Sequence, residues 1–243
     1  MRKFLVTFAI FNLLFTFLTL PVSASEARFH GPRIKNKNGT SLNWSGYAAI
    51  GGSTTDVKGS WVVPNLTCGA TNTYSSAWVG IDGYNDNTVE QTGTEQDCIN
   101  GQPQYYAWFE MYPKPSYMTN MNVKAGDTIM AEVKYVGGGK FILSLKSSNG
   151  QTFSISQKSY KAQLGSAEWI MEAPYSGGIL PLANFGTANF SNSQATIGGK
   201  TATISGFAFD QINMANSSGV LKDQTSPLSP DGSSFNITWL SSN

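Results

Sequence analysis

Along most of the chain, apolar and polar residues alternate with a period of two. The alternating runs are short and are set apart by clusters of Gly, Asn, Asp and Ser. That pattern predicts an all-β sandwich or barrel. Strands are expected over 43–50, 57–63, 74–83, 88–95, 104–112, 127–136, 140–146, 152–157 and 166–173. Further strands within 195–210 and 235–240 read as plain core. Pro64, Pro113 and Pro174 close three of these runs, because proline cannot donate to a sheet ladder. Gly137, Gly138 and Gly139 turn the chain between two strands, as in a hairpin. No strict repeat and no linker divides the domain.

Strand alternation also assigns faces. In 166–173, Ala167, Trp169 and Met171 point one way, into a core. Ser166, Glu168, Ile170 and Glu172 point the other way. Alternation alone favours a solvated outer face for the two glutamates. A half-buried carboxylate beside tryptophan would instead have a raised pKa and could carry protons. In 43–50, Trp44 shares a face with Gly46, Ala48 and Ile50. In 74–83, Ser76, Trp78, Gly80 and Asp82 lie opposite Ala77, Val79 and Ile81. Val89, Gln91 and Gly93 alternate with Glu90 and Thr92, and Tyr106, Trp108, Glu110 and Tyr112 share one face of the next run. The expected result is one sheet face lined by Trp44, Trp78, Trp108, Glu110, Gln91, Asp82 and Glu168. Aromatic rings interleaved with carboxylates and an amide suit a groove for a polymer, either polysaccharide or polypeptide.

Charge and targeting narrow the possibilities. Arg2 and Lys3 precede an apolar run from Phe4 to Leu20, and Pro21-Val22-Ser23-Ala24 ends in small residues. This is a secretory signal peptide over 1–24, with Ala27 as the alternative cleavage point. The run is too short and too polar for a membrane anchor. Its removal leaves 219 of the 243 residues, enough for one sizeable β domain over 41–243. Residues 25–40 read as a flexible lead-in or short propeptide. The exported product is expected to be a secreted monomer, free of the membrane. Only 13 % of residues are charged and the net charge is +1, so no basic field exists to hold nucleic acid.

The chain has one histidine, His30, placed by sequence in the lead-in and expected to stay clear of the site. A Ser-His-Asp triad, a Cys-His pair and a histidine-rich zinc site all need more than that. Proton carriers must then be carboxylates, and polarising groups must be amides, hydroxyls or backbone N–H. No metal or other cofactor is expected. The two cysteines, Cys68 and Cys98, form the simplest disulfide of an exported chain. Cys98 is expected in a loop. Closing a loop of about 30 residues stabilises by roughly 3 kcal/mol in the chain-entropy picture.

Five segments recur in order: Asn43-Trp-Ser-Gly-Tyr47, Ala77-Trp-Val-Gly-Ile-Asp-Gly83, Glu90-Gln-Thr-Gly93, Trp108-Phe-Glu110 and Ala167-Glu-Trp-Ile-Met-Glu172. In sequence and approximate spacing this set resembles the glutamic peptidases, the eqolisin family, from about Asn43 to Asp210. The resemblance implies a concanavalin A-like sandwich of two antiparallel sheets with a concave substrate cleft. It implies acid endopeptidase action on a polypeptide without metal or cofactor. It places the catalytic glutamine on Gln91 and the catalytic glutamate on Glu168. It places the cleft residues on Trp44, Trp78, Asp82 and Glu110. The chain departs from the family in lacking a long propeptide.

The residue types fit that chemistry. Peptide hydrolysis needs a base for water, a donor for the oxyanion and an acid for the leaving amine. A glutamate can serve as base and then acid. A glutamine amide can donate to the oxyanion and orient the water. Glu172 is a neighbouring candidate for the base. A glycoside hydrolase would use Glu110 with Glu168, or Glu168 with Glu172, as its carboxylate pair. A carbohydrate-binding module would explain the aromatics and leave Glu168 as surface.

Overall fold

The structure is a computed structural model that describes residues 28–243. The signal-peptide expectation over 1–24 therefore lies outside the described residues. The first seven strands are β1 (Trp44–Ile50), β2 (Thr54–Val62), β3 (Thr73–Ile81), β4 (Val89–Ile99), β5 (Gln102–Tyr112), β6 (Tyr117–Met118) and β7 (Thr128–Tyr135). The rest are β8 (Lys140–Ser147), β9 (Thr152–Lys158), β10 (Ala167–Glu172), β11 (Thr187–Ile197), β12 (Lys200–Thr203), β13 (Ala208–Ile212), β14 (Asp223–Thr225) and β15 (Phe235–Trp239). No described helix is long and apolar enough to cross a membrane.

The fold is the expected sandwich of two antiparallel sheets. The first sheet has the order β13-β1-β10-β3-β4-β5-β6. The second has the order β14-β15-β11-β2-β7-β8-β9, with β12 added to β11. The main core fills the space between them. Trp169 and Met171 enter it from β10, Val79 and Ile81 from β3, and Trp61, Ile129, Leu143 and Phe190 from the second sheet. Two indoles bridge the layers and fix their stacking. Trp61 Nε1 of β2 donates to Thr94 Oγ1 of β4 at 2.8 Å, and Trp169 Nε1 of β10 donates to the Lys58 carbonyl of β2 at 2.8 Å. A buried indole N–H needs such a partner, so each bond ties a large apolar group to one position.

The strands within 195–210 are not all core, since β12 and β13 are largely exposed. Gly198 and Gly199 have φ of +59° and +79°, and they turn the chain between β11 and β12. Left-handed backbone of this kind favours glycine. β13 then leaves for the other sheet, where it pairs with β1 as a largely exposed edge. Cys98 is not in a loop either. β4 runs on to Ile99, paired throughout with β5, and Cys98 sits in this ladder.

Cys68 and Cys98 are disulfide-bonded with their Cα atoms 5.4 Å apart. The bond pins the β2–β3 connection to the far end of β4. Alkylation of the native protein followed by intact-mass analysis should find no free thiol at either position. Two alkylated cysteines would contradict this pairing.

Candidate active site

The outer face of the first sheet carries a second, smaller apolar cluster: Trp44, Ala48, Trp78, Val89, Trp108, Ile170 and Ile212. It separates from the main core as alternation requires, with Ile170 on one face of β10 and Trp169 on the other. The antiparallel register builds three rows across this face. One row is Ala48, Glu168, Gly80, Gln91 and Glu110. The next is Gly46, Ile170, Trp78, Gly93 and Trp108. The third is Trp44, Glu172, Ser76, Glu95 and Tyr106.

Small residues in these rows make room for large ones. Gly93 lies between Trp78 and Trp108, and a Cβ on it would come within 2.5 Å of Trp78 Cβ. Gly80 lies between Glu168 and Gln91, and a Cβ there would come within 3.1 Å of Gln91 Cβ and 2.9 Å of the Trp78 ring. Two strand spacings put the Glu168 and Gln91 backbones about 10 Å apart. The Trp78 ring lies over Gly80, with the stem of Gln91 beside it.

The hydrogen bonds distinguish the carboxylates. Both oxygens of Glu168 and the Oε1 of Gln91 are buried without a hydrogen-bond partner. Glu172 is committed: Trp78 Nε1 donates to it at 2.9 Å and Asn43 Nδ2 at 3.4 Å. Glu110 stands three strands from Glu168 with Gln91 between them, about 14 Å along the sheet. The solvated-face expectation for Glu168 and Glu172 fails, since both are fully buried.

Asp82 lies at the end of β3 and acts on the chain rather than on the row. Its carboxylate accepts from the backbone N–H groups of Gln163, Leu164 and Gly165, at 2.7, 2.9 and 2.6 Å. It thereby holds the connection that leads directly into β10 and Glu168. Trp44 and Trp78 pack edge to face at 4.9 Å between ring centres. Trp44 Nε1 donates to the Gly31 carbonyl at 3.0 Å.

That last contact exposes a departure from the sequence reading. The described part of the lead-in is docked, and His30 is fully buried in the site. Its ring stacks on Trp108 at 3.7 Å with an interplanar angle of 6°. Its Nδ1 meets Glu110 Oε2 at 2.9 Å and its Nε2 meets Glu95 Oε2 at 2.9 Å. Gln91 Nε2 donates to the His30 carbonyl. Arg28 adds ion pairs to Glu95 and Asp97. The reason is unmet valence on the sheet face: several buried carboxylates need donors, and the lead-in supplies them. Sequence reasoning missed His30, Arg28, Glu95 and Asn43 as site residues. Glu95 had a signal, because it continues the face of Gln91 and Gly93.

Burial dominates the electrostatics. It raises Glu168 and Glu172 well above the ordinary carboxylate value. It pushes Glu110 up to about 7, against the opposing pull of its His30 bonds. Glu90 is raised to about 8 for the same reason. Asp223, behind β1 and bonded to Ser45 Oγ at 2.7 Å, is raised to about 7. Burial lowers His30 below its ordinary value. Among the described residues, no group of three or more His, Cys, Asp and Glu is placed to hold a metal ion.

These shifts set the pH dependence of stability. Each raised carboxyl binds its proton more tightly in the folded chain than in the unfolded one. Its contribution is complete below the ordinary carboxylate value and is lost as pH rises through about 7 for Glu110 and Asp223 and about 8 for Glu90. His30 acts in the opposite sense, losing its contribution as pH falls below the ordinary imidazole value. One imidazole is outnumbered by the carboxyls. Thermal unfolding followed by circular dichroism should therefore give a higher Tm at about pH 4.5 than at about pH 8. A Tm that rises steadily across that range would contradict the buried, protonated carboxyls.

Comparison with known proteins agrees with this geometry. The Peptidase A4 family matches residues 42–239. Aspergillopepsin-2 of Aspergillus niger is 32 % identical over 188 residues, which is 66 % of this chain and 66 % of that protein. Scytalidopepsin B of Scytalidium lignicola is 28 % identical over 188 residues, 72 % of this chain and 71 % of that one. Among solved structures, scytalido-glutamic peptidase with a peptide-based transition-state analogue superposes with a TM-score of 0.66 at 25 % identity, over 82 % of this chain and 98 % of that one. Aspergilloglutamic peptidase from Aspergillus niger does so with a TM-score of 0.62 at 28 % identity, over 69 % and 99 %. The chain belongs to the Peptidase A4 family, the glutamic peptidases of eqolisin type.

Proposed function

We propose that the protein is a secreted acid endopeptidase that hydrolyses polypeptides with Glu168 and Gln91 as its catalytic pair. The observation that carries this reading is the unspent hydrogen-bonding capacity on either side of Gly80. Glu168 has two oxygens and Gln91 one without a hydrogen-bond partner, as has Glu110 Oε1 at the far end of the same row. The relatives that carry peptide-based analogues support a polypeptide substrate.

In the proposed reaction the ionised form of Glu168, the minority form at acid pH because burial raises this carboxyl, takes a proton from water as that water attacks the scissile carbonyl. It then returns the proton to the leaving nitrogen. The Gln91 amide donates to the developing oxyanion, an interaction worth about 3 kcal/mol. Its Oε1 is available to hold the attacking water. Trp44, Trp78 and Trp108 wall the site with apolar surface and so strengthen each of these interactions. Glu110 and Asp82 support the site, Asp82 through the connection into β10. The catalytic steps draw only on carboxyl and amide groups, so activity should survive a chelator.

Glu168→Gln should keep the fold and lose nearly all turnover. Gln91→Ala should lose about two to three orders of magnitude in kcat, as expected for an oxyanion donor. The measurement is cleavage of one chromogenic peptide at acid pH, with circular dichroism as the folding control. A Gln91→Ala variant that keeps more than about a tenth of the wild-type rate would sink the pair. Gly80→Ala makes a second prediction: the added methyl crowds Gln91 and Trp78. Its kcat should fall by at least about tenfold, since misplacing a reacting group by an ångström costs that much or more.

A further inference from the structure

We infer that Lys222 heads a second binding site, a pocket for a carboxylate carried on a short aliphatic body, separate from the Glu168 and Gln91 pair.

Lys222 immediately precedes β14 and is fixed by its backbone. Its N–H donates to the Met214 carbonyl at 2.8 Å, and its carbonyl accepts from the N–H groups of Leu240 and Ser241 at 2.8 and 3.0 Å. The side chain therefore leaves from a point held by two other stretches of chain. Lys222 is 5 % exposed, and among the described residues no other lysine is buried. A lysine ordinarily lays its stem on apolar surface and keeps its head group in water. Here the side chain is enclosed, and among the described residues no group accepts a hydrogen bond from its Nζ.

The one anion that acts on Lys222 is Asp223, and that carboxyl is committed elsewhere. Its Oδ2 accepts from Ser45 Oγ at 2.7 Å and its Oδ1 from the Met214 N–H at 3.1 Å. Burial also raises Asp223 to about 7, so below that pH it is largely uncharged. An enclosed ammonium without a counter-charge is costly. Methionine or leucine would fill the same space without that cost.

Lys222 borders a cavity of about 290 Å³. Leu42, Ile179 and Leu180 supply its aliphatic lining, and Asn216 and Ser217 join Lys222 in its polar lining. Asn216 is held in place: its Oδ1 accepts from the N–H groups of Ser218 and Val220 at 3.1 and 3.0 Å, and its carbonyl accepts from Asn36 Nδ2 at 2.8 Å. Among the described residues, the Asn216 Nδ2 and the Ser217 hydroxyl have no partner. An ammonium, an amide N–H2 and a hydroxyl beside three aliphatic side chains fit a carboxylate with a branched hydrocarbon body. The aliphatic lining disfavours a fully hydrated anion such as sulfate.

Two sources carry that chemistry, the last residue of a peptide and a free monocarboxylic acid. Peptide hydrolysis makes a new carboxylate with every bond cut. Ile179 also lines a larger cavity of about 690 Å³, together with Asn43, Tyr112 and Tyr175. Asn43 in turn bonds Glu172. Ile179 thus stands between the Lys222 pocket and a cavity that reaches the outer face of the first sheet.

The test is an amide NMR titration of the whole protein at pH 6, where carboxylate probes are ionised. N-acetylleucine represents the peptide source, 4-methylpentanoate the free acid, and N-acetylleucinamide is the uncharged control. The two carboxylates should give saturable shifts at the amides of Asn216, Ser217 and Lys222, and the control none. Lys222→Met should weaken carboxylate binding by at least about tenfold, as the loss of one member of an enclosed charge pair does. Ser217→Phe, at an exposed position, should fill the cavity and weaken binding likewise, and it serves if Lys222→Met does not fold. Tighter binding of N-acetylleucine assigns the pocket to peptide ends, and tighter binding of 4-methylpentanoate assigns it to free acids. No saturable shift at these amides with either carboxylate, an equal response to the uncharged control, or an unchanged affinity in Lys222→Met would overturn the proposal.

Discussion

The structure depends on one register, the row in which Glu168, Gly80 and Gln91 stand side by side on β10, β3 and β4. Side chains on neighbouring strands would ordinarily fill the space between them. Here the central position has no side chain and the Trp78 ring lies over it, with the carboxyl carried by one neighbouring strand and the amide by the other. A shift of one residue in either ladder would send Glu168 or Gln91 into the sandwich core and bring Trp169 or Glu90 outward. The main core prevents this. Trp169 is anchored to Lys58 in the opposite sheet, and Trp61 of that sheet is anchored to Thr94, three residues beyond Gln91.

The site is expensive for the fold. Glu90, Glu95, Asp97, Glu110, Glu168 and Glu172 are all buried or nearly so. Carboxylates in such surroundings either take up a proton or find a cation. The chain uses both solutions. Arg28 answers Glu95 and Asp97, His30 answers Glu95 and Glu110, and Glu168 is left to burial alone. Stability and chemistry thus draw on the same groups.

Much of the face was legible in the sequence because alternation has a short range. Ala167, Trp169 and Met171 enter the main core while Glu168, Ile170 and Glu172 take the other face, as a period of two dictates. Trp78 with Gly80, and Trp108 with Glu110, were placed on the correct side for the same reason. What alternation leaves open is which strand lies beside which. β10 inserts between β1 and β3, with partners more than 80 positions away in sequence. Glu172 and Glu168 are equivalent by pattern; the donors Trp78 and Asn43 distinguish them. His30 was read as a bystander for a related reason. Its contacts reach Glu95 and Glu110, 65 and 80 positions away, and a polar segment before the first strand carries no local mark of burial. Cys98 and the 195–210 segment were misjudged where strand length was decided by pairing rather than composition.

Glu168 and Gln91, on either side of Gly80, are proposed as the reacting centre. A crystal structure of the acid-treated protein with a peptide bearing a tetrahedral hydroxyl at its centre tests this most directly. The account predicts that the hydroxyl lies within hydrogen-bond distance of both Glu168 and Gln91. A peptide bound elsewhere, or one over the first sheet touching neither Glu168 nor Gln91, would contradict it.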